Sequence, residues 1–240
     1  MELKVIGTGS AGNCYVLTDQ RGGRLMLEAG VSIPVTLRAL DFDTSRLAGI
    51  VVTHEHKDHC GYARQWAKRG QRIYASKGTF EGMSDNSLQM QTARCEMEAG
   101  GLYHIGSYQV RPFRVEHDAR EPFGYLIRHS ENKLFFITDT CSCNVVTKGV
   151  ETFMVECNYD LGSLNNSEIT EGLKARIFNS HFSLTSCKEF LKRQDLSQCK
   201  RIIAVHASGE RLDKERAVEE LQAATGVPVI VATNGLTIEL

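Results

Sequence analysis

The chain has 240 residues, 42% of them apolar and 24% charged, with 28 basic against 29 acidic side chains and a formal net charge of −1. These proportions exclude a disordered chain and supply enough apolar mass for a sizeable core. The near-neutral balance excludes a protein that wraps nucleic acid through bulk charge, while leaving room for a local basic patch.

The first residues, Met1-Glu2-Leu3-Lys4-Val5-Ile6-Gly7, have neither the basic start nor the apolar run of a signal peptide. Nothing elsewhere approaches the roughly 20 uninterrupted apolar residues that cross a membrane, so a cytoplasmic location is expected. The eight cysteines, scattered from Cys14 to Cys199, read as reduced thiols rather than a disulfide frame.

Short β-branched or aromatic runs alternate with amphipathic stretches, without low-complexity segments, long linkers or short-period repeats. The pattern predicts one α/β domain over residues 1–240. In chain order it gives strands at residues 4–6, Cys14–Thr18 and 24–28, a helix at 34–40 with Pro34 in its first turn, a strand at 49–53, a helix at 61–68 and a strand at 72–75. Strands follow at 108–116, 124–129, 133–138 and Thr152–Glu156, then a helix at 187–193 behind the capping candidates Ser183 and Ser186, and a strand at 202–205. Asp213 caps a helix over Lys214–Thr225 that ends at Gly226 and Pro228, before strands at 229–232 and 236–240. Hairpins dominate each half, so the sheets are expected to be mixed and mostly antiparallel, and two such sheets with helices on both outer faces make four layers.

The chemistry concentrates in His54-Glu55-His56-Lys57-Asp58-His59, directly after the apolar run Ile50-Val51-Val52; three of the eight histidines fall within six positions. Neutral imidazole and carboxylate are the usual ligands of zinc and its first-row neighbours, and a loop leaving a buried strand can aim successive side chains at a metal. His54 and His56 would share one ion while Asp58 and His59 turn to another. Further ligands are sought at other strand ends. His117 follows Val115-Glu116, Asp139 follows Phe135-Phe136-Ile137-Thr138, and His206 follows Ile202-Ile203-Ala204-Val205.

With these motifs in this order the sequence resembles the metallo-β-lactamase superfamily, over nearly the whole chain. The resemblance implies an αββα sandwich in which His54, His56 and His117 hold one divalent ion, Asp58, His59 and His206 a second, and Asp139 bridges them. Zinc or manganese is the expected metal, with iron compatible. Within the superfamily the chain is similar to the YycJ-like branch, also called WalJ, and more distantly to tRNase Z. The likeness rests on Gly9-Ser10-Ala11-Gly12-Asn13-Cys14-Tyr15, His117-Asp118 with Gly124-Tyr125, Val155-Glu156-Cys157-Asn158-Tyr159-Asp160, His181-Phe182-Ser183 and His206-Ala207-Ser208. It implies a phosphodiesterase, with exonuclease activity on DNA or RNA the specific suggestion. In tRNase Z-like relatives a glutamate and a histidine help to protonate the leaving oxygen, which makes Glu156 and His181, with Asp58, the candidate catalytic residues.

The chain departs from the superfamily in one place: Leu27-Glu28-Ala29-Gly30 stands where an Asp-x-Gly setting is usual. Glu28 is expected to support a ligand imidazole with altered reach. Arg111, Arg114, Arg120, Lys188, Lys192 and Arg193 flank the motifs and could form a groove for a phosphodiester. Cys60, Cys141 and Cys143 match no common zinc spacing and read as loop residues, while Met83, Met90 and Met97 read as core or as the wall of an entrance. His206 follows Asp139 by 67 positions, too few to hold a β-CASP cap domain. Two other readings compete. The same ligands serve thioester or lactone hydrolases, and a non-enzyme reading would be a metal-binding regulatory module or a redox di-iron protein. Di-iron relatives with a flavin partner generally carry glutamate where this chain has His56.

Overall fold

Buried strands that end in a polar residue organise this chain. The computed structural model describes residues 1–240. The order is β1 (Glu2–Gly7), β2 (Cys14–Thr18), β3 (Arg24–Leu27), α1 (Ile33–Ala39), β4 (Leu47–Val51), α2 (Lys57–Cys60), α3 (Ala63–Lys68), β5 (Ile73–Ser76), α4 (Lys77–Met83), α5 (Leu88–Ala93), β6 (Arg94–Met97), β7 (Tyr103–Ile105), β8 (Tyr108–Arg114) and β9 (Phe123–His129). It continues with β10 (Asn132–Ile137), β11 (Thr152–Glu156), α6 (Leu161–Asn166), α7 (Glu171–Ser180), α8 (Leu184–Lys192), β12 (Arg201–Val205), α9 (Lys214–Thr225), β13 (Val229–Val231) and β14 (Thr237–Glu239). Two seven-stranded sheets result, ordered β14-β1-β2-β3-β4-β5-β6 and β13-β12-β11-β10-β9-β8-β7.

Both sheets are mixed, but the expected antiparallel majority is not what forms. The strands β14, β1, β2 and β3 pair antiparallel, as do β7, β8 and β9. From β3 to β6, and from β10 to β13, every pairing is parallel. Parallel neighbours need a crossover long enough to carry the chain back, and most of these connections hold helices, several of them too short or too polar to stand out in the sequence.

The chain divides into two compact units, one of Met1–Arg114, Ala119–Asn132 and Thr233–Leu240, the other of Val115–Asp118 and Lys133–Ala232. In the first unit the register places Val16, Met26, Ile50 and Ile73 side by side across β2, β3, β4 and β5. This row packs into one cluster with Trp66 of α3, Phe80 of α4 and Met90 of α5. Each such side chain contributes roughly 1.5–3 kcal/mol on burial.

In the second unit Phe135 and Phe153 are register partners on β10 and β11, their rings 5.5 Å apart, and Phe190 of α8 stacks on Phe135 at 5.6 Å. Ser183 caps α8 by accepting from Ser186 N, Asp213 caps α9 by accepting from Arg216 N, and Gly226 ends α9 in the left-handed region.

Close backbone packing fixes the first unit's polar loop. Asp58 O accepts from Asn13 N at 2.7 Å, His59 O from Ala29 N at 2.6 Å, and Asn13 O from Gly30 N at 2.9 Å. A Cβ on Gly30 would fall on the Asp58 carbonyl. Gly30→Ala is therefore expected to cost about 1–3 kcal/mol through overpacking, seen as a melting temperature lowered by several degrees; an unchanged melting curve would refute the tight fit.

Candidate metal centre

The strand β4 is buried and its continuation is clamped: Tyr125 Oη donates to Val52 O at 2.6 Å and Phe123 N donates to Thr53 O at 3.0 Å. The chain then turns sharply. Thr53 Oγ1 lies 2.9 Å from His54 Nδ1, fixing that ring through its inner nitrogen. His56 is the N-terminal cap residue of α2, and Asp58 and His59 lie in its single turn, whose closing bonds run from His59 N and Cys60 N to His56 O. All four sequence candidates of this loop come together. The His54 ring lies 4.6 Å from His56 and 4.1 Å from His59, and Asp58 Oδ2 is 3.3 Å from His59 Nε2.

Glu28 stands behind them, fully buried at a left-handed φ of 67°. Its Oε2 accepts from Thr53 N at 3.2 Å and its Oε1 lies 3.5 Å from His59 Nδ1. Glu28 thus faces His59, a candidate ligand, at ion-pair rather than hydrogen-bond distance. Asn13, which the sequence reading did not single out as a side chain, approaches His59 Nε2 through Nδ2 at 3.2 Å while its Oδ1 accepts from Gly9 N and Tyr15 Oη.

The second unit gathers the remaining candidates at the carboxyl ends of parallel strands, where open α/β sheets generally place their sites. Asp139 lies two residues beyond β10, Glu156 ends β11, and His206 follows β12 at a left-handed φ of 51°. With His181 they form a group whose ligand atoms all lie within 4.8 Å of one another. His117 Nε2 is 3.8 Å from Asp139 Oδ2, and its Nδ1 lies 2.7 Å from Ser180 O. A carbonyl can only accept, so Nδ1 carries the proton and Nε2 keeps its lone pair, the tautomer a metal ligand requires. Asn158, also missed as a side chain, lies 2.9 Å from His206 Nδ1 and donates to His206 O.

Glu156 is wholly buried and fully engaged. Its Oε2 accepts from Thr140 N and Phe182 N, both at 2.9 Å, and its Oε1 lies 2.6 Å from His181 Nδ1. Burial works to raise its pKa, but the His181 charge and hydrogen bond outweigh that and hold it below the usual carboxylate value. The reciprocal effect acts on His181: burial works to lower its pKa, and Glu156, with help from Asp139, raises it above the ordinary imidazole value. His117 also faces carboxylates, its Nε2 lying 3.1 Å from Asp118 Oδ1. Burial outweighs the pull of Asp139 and lowers its pKa.

Imidazoles set among carboxylates at strand ends, with the His117 tautomer fixed by a carbonyl, are a donor set that suits first-row divalent ions. The basic residues fit their expected role less well. Arg114 pairs with Glu121 at 3.0 Å, Lys188 with Glu220 at 2.7 Å and Lys192 with Glu189 at 3.1 Å, while Arg193 donates to Cys143 O. No helix is long and apolar enough to cross a membrane.

Residues 24–207 match the beta-lactamase superfamily domain. The chain is 29% identical over 229 residues to an exodeoxyribonuclease YycJ of Bacillus anthracis, covering 90% of this chain and 86% of that one. It is 42% identical over 228 residues to an anti-Pycsar protein Apyc1 of Bacillus phage 010DV004, covering 76% and 89% respectively. Among solved structures, Zn2+-bound PqqB from Methylobacterium extorquens superimposes with a TM-score of 0.73 at 15% identity, over 100% of both chains. The chain belongs to the beta-lactamase superfamily and has the metallo-β-lactamase fold. Within that class it is a metal-dependent hydrolase.

Glu28→Ala removes the acceptor of a buried amide and is expected to cost about 1–3 kcal/mol, read from denaturant unfolding. Glu28→Asn, a residue that tolerates left-handed backbone, should recover part of that loss. Equal losses in both variants would show that backbone conformation plays no part at this position.

Proposed function

We propose that this chain is a binuclear-metal-dependent phosphodiesterase, exonuclease-like, acting on DNA or RNA or on a nucleotide-derived phosphodiester. His54, His56 and His117 would hold one ion and Asp58, His59 and His206 the other, with Asp139 as a shared ligand; zinc and manganese suit these donors, and iron is compatible. When bound, such ions lower the pKa of water and neutralise charge on the attacked centre.

The observation that carries the reading is the Glu156–His181 pair. Glu156 is immobilised by two backbone amides and holds His181 Nδ1 at 2.6 Å, so the imidazole is oriented and its protonated form is favoured. Cleaving a nucleic-acid ester expels a sugar alkoxide, a poor leaving group that needs a proton in the transition state. His181 delivers that proton from Nε2, and Glu156 stabilises the charge on the ring. A thioester hydrolase expels a thiolate, which leaves without such help, so the pair favours phosphodiester chemistry over thioester hydrolysis. Similarity to an exodeoxyribonuclease points the same way. The regulatory and di-iron readings have no use for a carboxylate-paired histidine beside the candidate ligands, and His56 is not the glutamate that the di-iron reading calls for.

Two tests follow. His56→Ala and Asp139→Asn should each reduce metal content and lower turnover more than about 100-fold, beyond the loss typical of an outer partner, while the circular-dichroism spectrum stays native. Full metal content and turnover in either variant would refute the ligand assignment. His181→Ala should slow cleavage of oligonucleotides by about 10²–10⁴-fold and that of bis(4-nitrophenyl) phosphate by less than about tenfold. Equal losses on the two substrates would remove His181 from proton transfer.

A further inference from the structure

The start of α4, the end of β8 and the turn into β9 border a groove of about 440 Å3, lined by Lys77, Gly78, Glu81, Arg114, Arg120 and Glu121. All six residues belong to the first unit. Three are cations and two are carboxylates, and they are engaged to different degrees. Glu121 is held twice: Oε1 accepts from Arg114 Nη2 and Oε2 from Gly78 N, both at 3.0 Å. Glu81 lies 3.9 Å from Lys77 Nζ, at the limit of an ion pair, and both side chains are largely in water, where such a pair contributes little. The exposed side chain of Arg120 makes no hydrogen bond or ion pair at all, so the groove carries a positive charge that no carboxylate neutralises.

A free arginine on a mobile loop would mean little, but the backbone that bears this one is clamped. Arg120 N donates to Glu55 Oε1 at 2.8 Å, and the next carbonyl, Glu121 O, accepts from Ser76 Oγ at 2.7 Å. A Cβ on Gly78 would fall on Glu121 Cβ, so the first turn of α4 meets this segment with no side chain between them. Glu55 stands between His54 and His56, and its hydrogen bond to Arg120 N therefore ties the groove to the loop of candidate ligands. Arg114 is oriented by Glu121, and a guanidinium has five N–H donors, so others stay available for a ligand.

Two guanidinium groups and an ammonium around one groove, with the unpaired charge on a fixed backbone, complement a tetrahedral oxyanion. We propose that this groove holds a phosphate of the substrate strand other than the one that is cleaved, with Arg120 as its principal contact. The inference deepens the phosphodiesterase reading and rests on it. A strand with several phosphates then has a second anchor beside the candidate metal loop, which an ester with a single phosphate lacks.

Fluorescence anisotropy of labelled hexathymidylate with the full chain, in EDTA to prevent cleavage and over a series of salt concentrations, tests the proposal. Arg120→Gln should weaken binding at least about fivefold and reduce the slope of log affinity against log salt by about 0.7, the share of one neutralised phosphate in a single strand. Arg120→Lys keeps the charge and should recover most of both. Arg38→Gln removes an exposed charge from α1, outside the groove, and should change neither. No binding by the wild-type chain, or Arg120→Gln values equal to those of Arg38→Gln, overturns the proposal. Titration with inorganic phosphate separates the two sources of the anion: if Arg120→Gln abolishes its binding but leaves hexathymidylate affinity unchanged, the groove takes free phosphate and the proposal falls. Bis(4-nitrophenyl) phosphate carries only the phosphate to be cleaved, so its turnover by the metal-loaded wild-type chain reports on the phosphodiesterase reading alone. No turnover there, with hexathymidylate binding that depends on Arg120, would sink that reading and keep the phosphate groove.

Discussion

The first unit depends on backbone groups pressed against one another without side chains between them. The carbonyls of Asp58 and His59 are held by the amides of Asn13 and Ala29, and Gly30 leaves no room for a Cβ beside Asp58. Amide-to-carbonyl contacts are short and directional, so they set the turn more firmly than long side chains could. Side-chain supports are then added to a fixed frame: Thr53 on His54, Asn13 and Glu28 on His59. A loop carrying four candidate ligands in six positions would otherwise have many conformations, and ordering it at the moment of metal binding would reduce affinity.

The second unit reaches the same rigidity through charge. Glu156 is a buried carboxylate that stays ionised because two amides and His181 replace the water it lost. It also lies 3.3 Å from His206 Nδ1. One side chain thus organises a candidate proton donor and a candidate ligand together. Both units store strain at the ends of strands, in the left-handed φ angles of Glu28 and His206. Non-glycine residues hold such angles only where neighbours determine them fully, and here the neighbours are the ligand candidates themselves.

Much of this was legible in the sequence because strand ends and candidate ligands coincide. The runs Ile50-Val51-Val52, Phe135-Phe136-Ile137 and Ile202-Ile203-Ala204-Val205 each announce a buried strand, and the polar residue that follows has no solvent-facing reason to be there. The caps Ser183 and Asp213 fixed two helices within a few residues. What escaped lacks such contrast. The strand β6 is Arg94-Cys95-Glu96-Met97 at a sheet edge, and α7 is a largely exposed helix with few apolar residues; neither shows the period that marks a packed element. The parallel pairings escaped for a related reason, since short helices such as α4 and α5 gave no hint of the crossovers they build. Asn13 and Asn158 escaped because amide side chains serve loops everywhere, and only the folded chain shows which of them meets an imidazole.

The near-neutral composition bears on how a phosphodiester would be recognised. Three of the six basic residues flanking the motifs are paired with carboxylates and a fourth with a carbonyl, so little free positive charge is left to follow a nucleic-acid backbone. Affinity from counterion release grows with the number of phosphates neutralised. A phosphodiesterase that neutralises few would draw its affinity from the groups around the scissile phosphate. Such an enzyme would favour substrates engaged at one end or of small size over long duplexes gripped along their length.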